Sequence, residues 1–372
     1  MSGHRDPFDL QFDKPRANRA DEFAELESSF LAASGHSISR ADAAWDPVRL
    51  FSPSEMNELR EPGELNQRNV LLDPDALSDD HSLYGHVSPS AAAHHALGST
   101  KASIDAIGPN MGHFAMLFVL SAIFLVLSQF GSLFAMHKLQ ILGHHSLRAY
   151  AEMMAGDARW LVPTEALGYL LVLAFAVPLF RWLWERPFSV GIHWNFSVAR
   201  SHVMALLLAG LGSGFGIGVL GSVLPMPKNP PIMADMLHSP LGAWLMFAFG
   251  VTGAPLFEEF FFRGFLLPAF LNAFRWLSLK GDLSPRAALW LGVPVSFLLT
   301  SLPFALLHAP QVSHAWGPIL LIGIVSVVLC AVRFRFNSLA ASTLVHSAYN
   351  FTLFAGILFQ TGGFRHLDRL AQ

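Results

Sequence analysis

A polytopic bundle of membrane-spanning helices, led by a long acidic region without a packed core, is the fold class the sequence predicts. Three observations carry it. The 372 residues are 52% hydrophobic and only 14% charged, with a mean hydropathy of +0.42, outside the usual range of soluble domains. Charge is split: residues 1–107 hold 18 Asp and Glu against 9 Lys and Arg, so the front stands at −9 and the remainder at +6. After Gly108, apolar runs alternate with short polar loops, each run reaching the roughly 20 residues that a helix needs to cross a hydrocarbon core. A net charge of only −3 points to no nucleic-acid partner.

The first element, residues 1–107, is rich in Asp, Glu, Ser, Ala and Pro and has no sustained apolar period. Such a segment buries too little apolar surface to offset chain entropy and is expected to be largely disordered. "DEFAELESSFLAASG" is a local exception, with Phe23, Leu26 and Phe30 on one helical face and Gly35 as a stop; it is read as a transient helix. No apolar stretch follows the first charges, so no secretory signal peptide is expected. About seven spans follow, near 111–136, 161–183, 202–224, 241–270, 287–308, 317–334 and 338–360. The second opens with Pro163 in its first turn and finishes in "RWLWERP", an aromatic and basic interfacial anchor. Lys and Arg lie in mild excess on the loop side shared with the N-terminus, which places that terminus in the cytoplasm if the number of spans is odd. The expected divisions are 1–107, a first membrane segment over 108–200, and a membrane domain over 201–362 that carries the chemistry.

Several motifs lead nowhere. Gly216, Gly218 and Gly221 have the spacing of a dinucleotide fingerprint, but that motif needs a preceding strand and an aqueous phosphate site. Gly210, Gly214, Gly218 and Ser222 instead repeat every four residues, a small-residue stripe for close helix packing. Ser213 follows Leu211 rather than a glycine two residues back, so a Gly-x-Ser-Gly site fails, and no His-Glu-x-x-His helix occurs. His94-His95 and His144-His145 are read as solvated loop pairs. Cys330, the single cysteine, is read as a buried thiol.

Three polar clusters remain inside apolar spans, where central charges cost roughly 2.5 to 3.5 kcal/mol each: "EEFFFR" at Glu258 to Arg263, "FALLH" at Phe304 to His308, and "HSAYN" at His346 to Asn350. Glu259 and Arg263 are four apart with the acid on the N-terminal side, the favourable order for a helical ion pair. Glu258 is turned about 100° away. It is left as a carboxylate without a cation, a candidate general base. His346 and Asn350 share a face one turn apart and offer an imidazole and an amide to one point.

In order, these clusters resemble the CPBP family, the intramembrane proteases related to Rce1-type CAAX prenyl endopeptidases, over roughly residues 200 to 360. The resemblance implies that Glu258 and His308 activate a hydrolytic water and that His346 and Asn350 stabilise the oxyanion, with Glu259 and Arg263 in support. It implies a membrane-associated protein or peptide substrate in the lipid bilayer, with a prenylated CAAX-type chain as one option. No cofactor is assigned; if a metal assists, Glu258, His308 and His346 are acceptable zinc ligands. Chemically, peptide hydrolysis without a protein nucleophile needs a base, oxyanion donors and an acid for the leaving amine, and the residue types supply all three. The alternatives are a non-catalytic bacteriocin-immunity or scaffold member of the same fold, and a transporter, which would be expected to show an internal repeat that is missing here.

Overall fold

Helices begin where a short polar side chain stands ahead of an apolar run. The computed structural model describes residues 108–226 and 239–371, all in the unit Trp45–Gln372. The acidic front, with the helix expected around Phe23 and the His94-His95 pair, lies outside the described residues. Among the described residues every regular element is helical. The long elements are α1 (Met111–Lys138), α2 (Leu147–Ala155), α3 (Ala158–Trp184), α4 (Val203–Gly221), α5 (Pro240–Leu279), α6 (Pro285–Leu307), α7 (Trp316–Phe336) and α8 (Leu339–Gln360). Side chains of Asn110, Ser146, Asp157, Ser239, Ser284 and Ser338 accept hydrogen bonds from first-turn N–H groups of α1, α2, α3, α5, α6 and α8. Each such cap contributes about 1 kcal/mol.

Six helices, α1 and α3 to α7, are long and apolar enough to cross a membrane, which makes the chain a multi-pass integral membrane protein. Outward side chains such as Phe118, Phe130, Leu170, Phe215, Val223 and Trp290 are more than half exposed, as lipid-facing positions must be. The expected seventh span forms as α8, but Ser342, Thr343, His346, Ser347, Asn350 and Thr352 leave it short of the others in apolarity. The reason is its position. It packs on α4, α5 and α7, and Ser342, Val345 and His346 are buried, so these polar groups face protein. The short α2, an unexpected element, lies between the first two spans and exposes the Arg148–Glu152 pair.

Helices α5 and α6 are not uniform. In α5 the α-helix is interrupted at Thr252, resumes over Gly253–Glu259, and widens into a π-helical segment at Phe260–Leu266. In α6 a π segment spans Ala288–Gly292. Pro268 and Pro294 follow these segments by two residues. A proline has no N–H to give the carbonyl four residues back, and a π turn absorbs the resulting slack with one extra residue.

The small-residue stripe of α4 is used over half its length. Cβ atoms built on Gly210 and Gly214 would meet α8 at 2.5 Å (Ala348) and 2.6 Å (Thr352), so these two glycines set the closest helix approach. Gly218 has open space around it, and the Ser222 hydroxyl merely donates to Val219 O on an exposed surface. Ser213 donates to Ala209 O within its own helix. Cys330 is buried, 3.8 Å from the Ser301 hydroxyl, and His144 and His145 are exposed.

The α7–α8 turn is held from a distance. Asn337 is in the left-handed region at φ 43°, and Ser338 starts α8 at once. Asn337 Oδ1 lies 2.7 Å from His193 Nδ1 and accepts from Arg333 Nη1 at 3.0 Å. Its carbonyl accepts from Asn195 Nδ2 at 2.6 Å, Ser338 Oγ donates to Asn195 O at 2.8 Å, and Leu339 N donates to His193 O at 2.9 Å.

Gly210→Val is expected to lower the melting temperature in detergent, since overpacking a close contact costs about 1 to 3 kcal/mol. Gly216→Ala, where a Cβ meets nothing within 4 Å, should leave it unchanged or slightly raised. Equal melting of the two variants would mean that the α4–α8 contact is not closely packed.

Candidate active site

Two adjacent carboxylates at the end of one helical piece must point in different directions, and here they lead separate lives. Glu259 and Arg263 are fully buried, with Arg263 Nη1 3.0 Å from Glu259 Oε1. That contact is an ion pair without hydrogen-bond alignment, and Arg263 Nη1 has no other partner. Arg263 Nη2 is better served, donating to Ser326 O at 2.9 Å and Ser326 Oγ at 2.6 Å on α7. The guanidinium also lies over the Phe304 ring of α6, 4.5 Å from its centroid, a cation–π contact whose worth rises with desolvation. From α8, His346 Nδ1 donates to Glu259 Oε1 at 3.1 Å. One buried pair thus touches α5, α6, α7 and α8.

Glu258 has no such cation. Its Oε2 is 3.7 Å from His346 Nε2 and its Oε1 3.9 Å from His308 Nε2. Both separations exceed hydrogen-bond length, while a water about 2.8 Å from each partner fits beside either gap. Glu258 and His308 keep side-chain exposures of 20% and 21%, against 0% for Glu259 and 4% for His346. The site therefore opens at Glu258 and His308 and closes toward Glu259.

The ring tautomers follow from the acceptors. His308 Nδ1 donates to Phe304 O at 2.8 Å, and His346 Nδ1 donates to a carboxylate; neither acceptor has a proton to return. Each neutral ring therefore turns an Nε2 lone pair toward Glu258. His346 presents an Nε2–H only as the doubly protonated imidazolium, whose charge the Glu258 carboxylate 3.7 Å away would balance, Glu259 being already paired with Arg263.

Asn350 lies one turn beyond His346 on α8, and its Nδ2 donates to Gly250 O at 2.7 Å, just ahead of the break at Thr252. One of its two amide hydrogens is thus committed to the scaffold. The structure brings Glu258, Glu259, Arg263, His308 and His346 into one cluster; the described contacts of Asn350 are with α5.

Sequence reasoning missed three contributors. Ser326 is an ordinary residue of an apolar helix, and its role emerges only from packing. Glu165 and Tyr169 on α3 had a signal, since a carboxylate inside a membrane span is itself an indication of function. Tyr169 donates to Glu165 Oε1 at 2.8 Å, and its ring stacks on Phe257 with centroids 3.8 Å apart and planes 8° apart.

Donor chemistry permits the zinc set Glu258, His308 and His346, but the side chains as placed, 3.7 and 3.9 Å apart, do not form a closed zinc site. Tetrahedral donors at Zn–N and Zn–O of about 2.0 to 2.1 Å lie about 3.3 Å from one another, less than the separations found. Among the described residues, no three His, Cys, Asp or Glu side chains are arranged to hold a metal ion.

Fold and site together define a helical integral membrane protein with a buried carboxylate and two imidazoles contributed by three helices. Residues 240–352 match the family described as type II CAAX prenyl endopeptidase Rce1-like, so over that segment the chain is similar to it. All three polar clusters lie inside the matched segment, whereas α1 to α4 lie outside it. No curated protein and no solved structure is similar enough to the chain to count as a match.

Removing Arg263 would strand a buried carboxylate, a change that typically costs about 3 to 5 kcal/mol. Arg263→Ala is expected to melt far below wild type, and adding Glu259→Gln should recover part of the loss. If Arg263→Ala melts like wild type, the pair does not carry the packing.

Proposed function

We propose that the protein is an intramembrane endopeptidase that hydrolyses a peptide bond of a membrane-associated substrate by means of an activated water. The observation that carries this reading is Glu258: a carboxylate without a cation, at the open end of a membrane-embedded site, facing the Nε2 atoms of two histidines from separate helices. The match of residues 240–352 to CAAX prenyl endopeptidases supports it, and on that basis a prenylated CAAX-type chain is the first substrate to test.

In this mechanism a water lies between Glu258 and His308. Glu258 takes one of its protons as the oxygen attacks the scissile carbonyl carbon, and His308, oriented by its bond to Phe304 O, accepts the water's other hydrogen bond. The carbonyl oxygen becomes an oxyanion. His346 as imidazolium and the free amide hydrogen of Asn350 supply its donors. Collapse breaks the C–N bond, and the proton held by Glu258 passes to the departing amine. Glu259 and Arg263 do not enter the chemistry; they fix the His346 ring and hold the four helices together. No step uses a metal.

Detergent-purified protein should cleave a farnesylated CAAX peptide or another membrane-tethered peptide, and Glu258→Gln and His308→Ala should abolish cleavage. Asn350→Ala should lower kcat by about 10² to 10³, the usual consequence of losing one oxyanion donor. A chelator should leave the rate unchanged. A folded wild type that cleaves none of the peptides, or a Glu258→Gln variant as active as wild type, would move the reading to a non-catalytic membrane scaffold.

A further inference from the structure

The mechanism leaves one polar pair in the membrane unused. Glu165 and Tyr169 lie on α3, outside the segment that matches the endopeptidase family. The carboxylate is half-buried, and its described hydrogen bond is from the Tyr169 hydroxyl. Tyr169 is in turn fixed by stacking on Phe257, the residue before Glu258, and on Phe249, 5.6 Å between centroids. Two flat contacts on one ring leave it little freedom, so the hydroxyl and the carboxylate it holds are placed with respect to the α5 segment that carries Glu258. Glu165 is close enough to act electrostatically on both Glu258 and His308, and Tyr169 on Glu258.

We propose that Glu165, oriented by Tyr169, is a second carboxylate of the active site and a positioning residue for the water-activating pair Glu258 and His308. This rests on the hydrolytic reading above. With Tyr169 occupying one oxygen, the rest of the Glu165 carboxylate offers only acceptors. Glu258 and His308 already hold the water's two hydrogens, so acceptors on that side act on Glu258: they draw the proton it has taken away from the scissile carbonyl and leave its other oxygen turned to the water. Glu165 and Glu258, coupled electrostatically within a low-dielectric bundle, also repel one another when both are ionised, a cost that a purely structural pair would not be expected to impose.

The test uses the full chain in detergent, with Glu165→Gln, Tyr169→Phe, Glu258→Gln and the double variant Glu165→Gln/Glu258→Gln. Leu170→Ala, at an exposed position on the same helix, serves as control. On a peptide that wild type cleaves, Glu165→Gln is expected to lower kcat at least tenfold with KM within twofold, Tyr169→Phe about threefold, and the control not at all. The melting temperature of Glu165→Gln should equal or exceed that of wild type, and the gains from Glu165→Gln and Glu258→Gln should not add, because either change relieves the same repulsion. A lower melting temperature with unchanged kcat would overturn the proposal and make the pair structural, as would strictly additive melting shifts. If wild type cleaves nothing, the hydrolytic reading fails and the melting cycle decides alone: non-additive shifts keep Glu165 in the site, additive shifts remove it. Tyr169→Phe preserves the ring stack and stands in if Glu165→Gln does not fold.

Discussion

The buried pair of Glu259 and Arg263 is the constraint on which the rest of this molecule depends. A guanidinium and a carboxylate without water are stable only if neighbouring groups occupy their remaining donors and acceptors, and here those groups come from three other helices: Ser326 from α7, Phe304 from α6 and His346 from α8. Helices inside a bilayer gain little from hiding apolar surface, since lipid is as apolar as they are. Polar convergence replaces the hydrophobic effect as the source of a unique arrangement. The same convergence turns the His346 ring so that its second nitrogen faces Glu258, which links the stability of the bundle to the readiness of the site.

Adjacent residues are thereby assigned opposite duties. Glu259 is enclosed and neutralised, while Glu258, one residue earlier, keeps some access to the outside and faces two imidazoles without an ion-pair partner among Lys and Arg. Local geometry at the α-to-π transition following Glu259 sustains the difference, because the wider turn gives Arg263 room to reach both Glu259 and Ser326. A π segment inside an α-helix is a frequent feature of functional sites. Here its sequence basis is visible in the proline two residues past the segment.

Much of this was legible in the sequence. Apolar run lengths located the spans to within a few residues, except that α5 continues to Leu279, nine residues past its expected end, and the four-residue spacing of Glu259 and Arg263 identified the ion pair. The separate facing of Glu258 followed from the 100° step of a helix. What was not legible required three dimensions. Whether α8 meets lipid or protein depends on its neighbours: the spacing of His346 and Asn350 gave them one face, but not the helices that this face packs on. Gly218 continues the stripe of Gly210 and Gly214 in sequence, but a Cβ built there would meet nothing within 4 Å. The Glu165–Tyr169 pair lies about 90 residues before the motifs it approaches, and no local pattern joins them.

The pinned turn at Asn337 and Ser338 bears on how such a chain is assembled. Its partners, His193 and Asn195, lie 142 to 144 residues earlier, ahead of α4 and well before the family segment begins. A membrane protein is inserted from its N-terminus onward, so this receiving loop is already in place when the α7–α8 turn is synthesised. The α7–α8 hairpin, which brings His346 and Asn350, therefore docks onto a prepared template, and the proposed site is assembled only after α8 has been made. Until then the proposed site lacks the groups that α8 supplies, and a chain of this kind would spare neighbouring nascent membrane proteins.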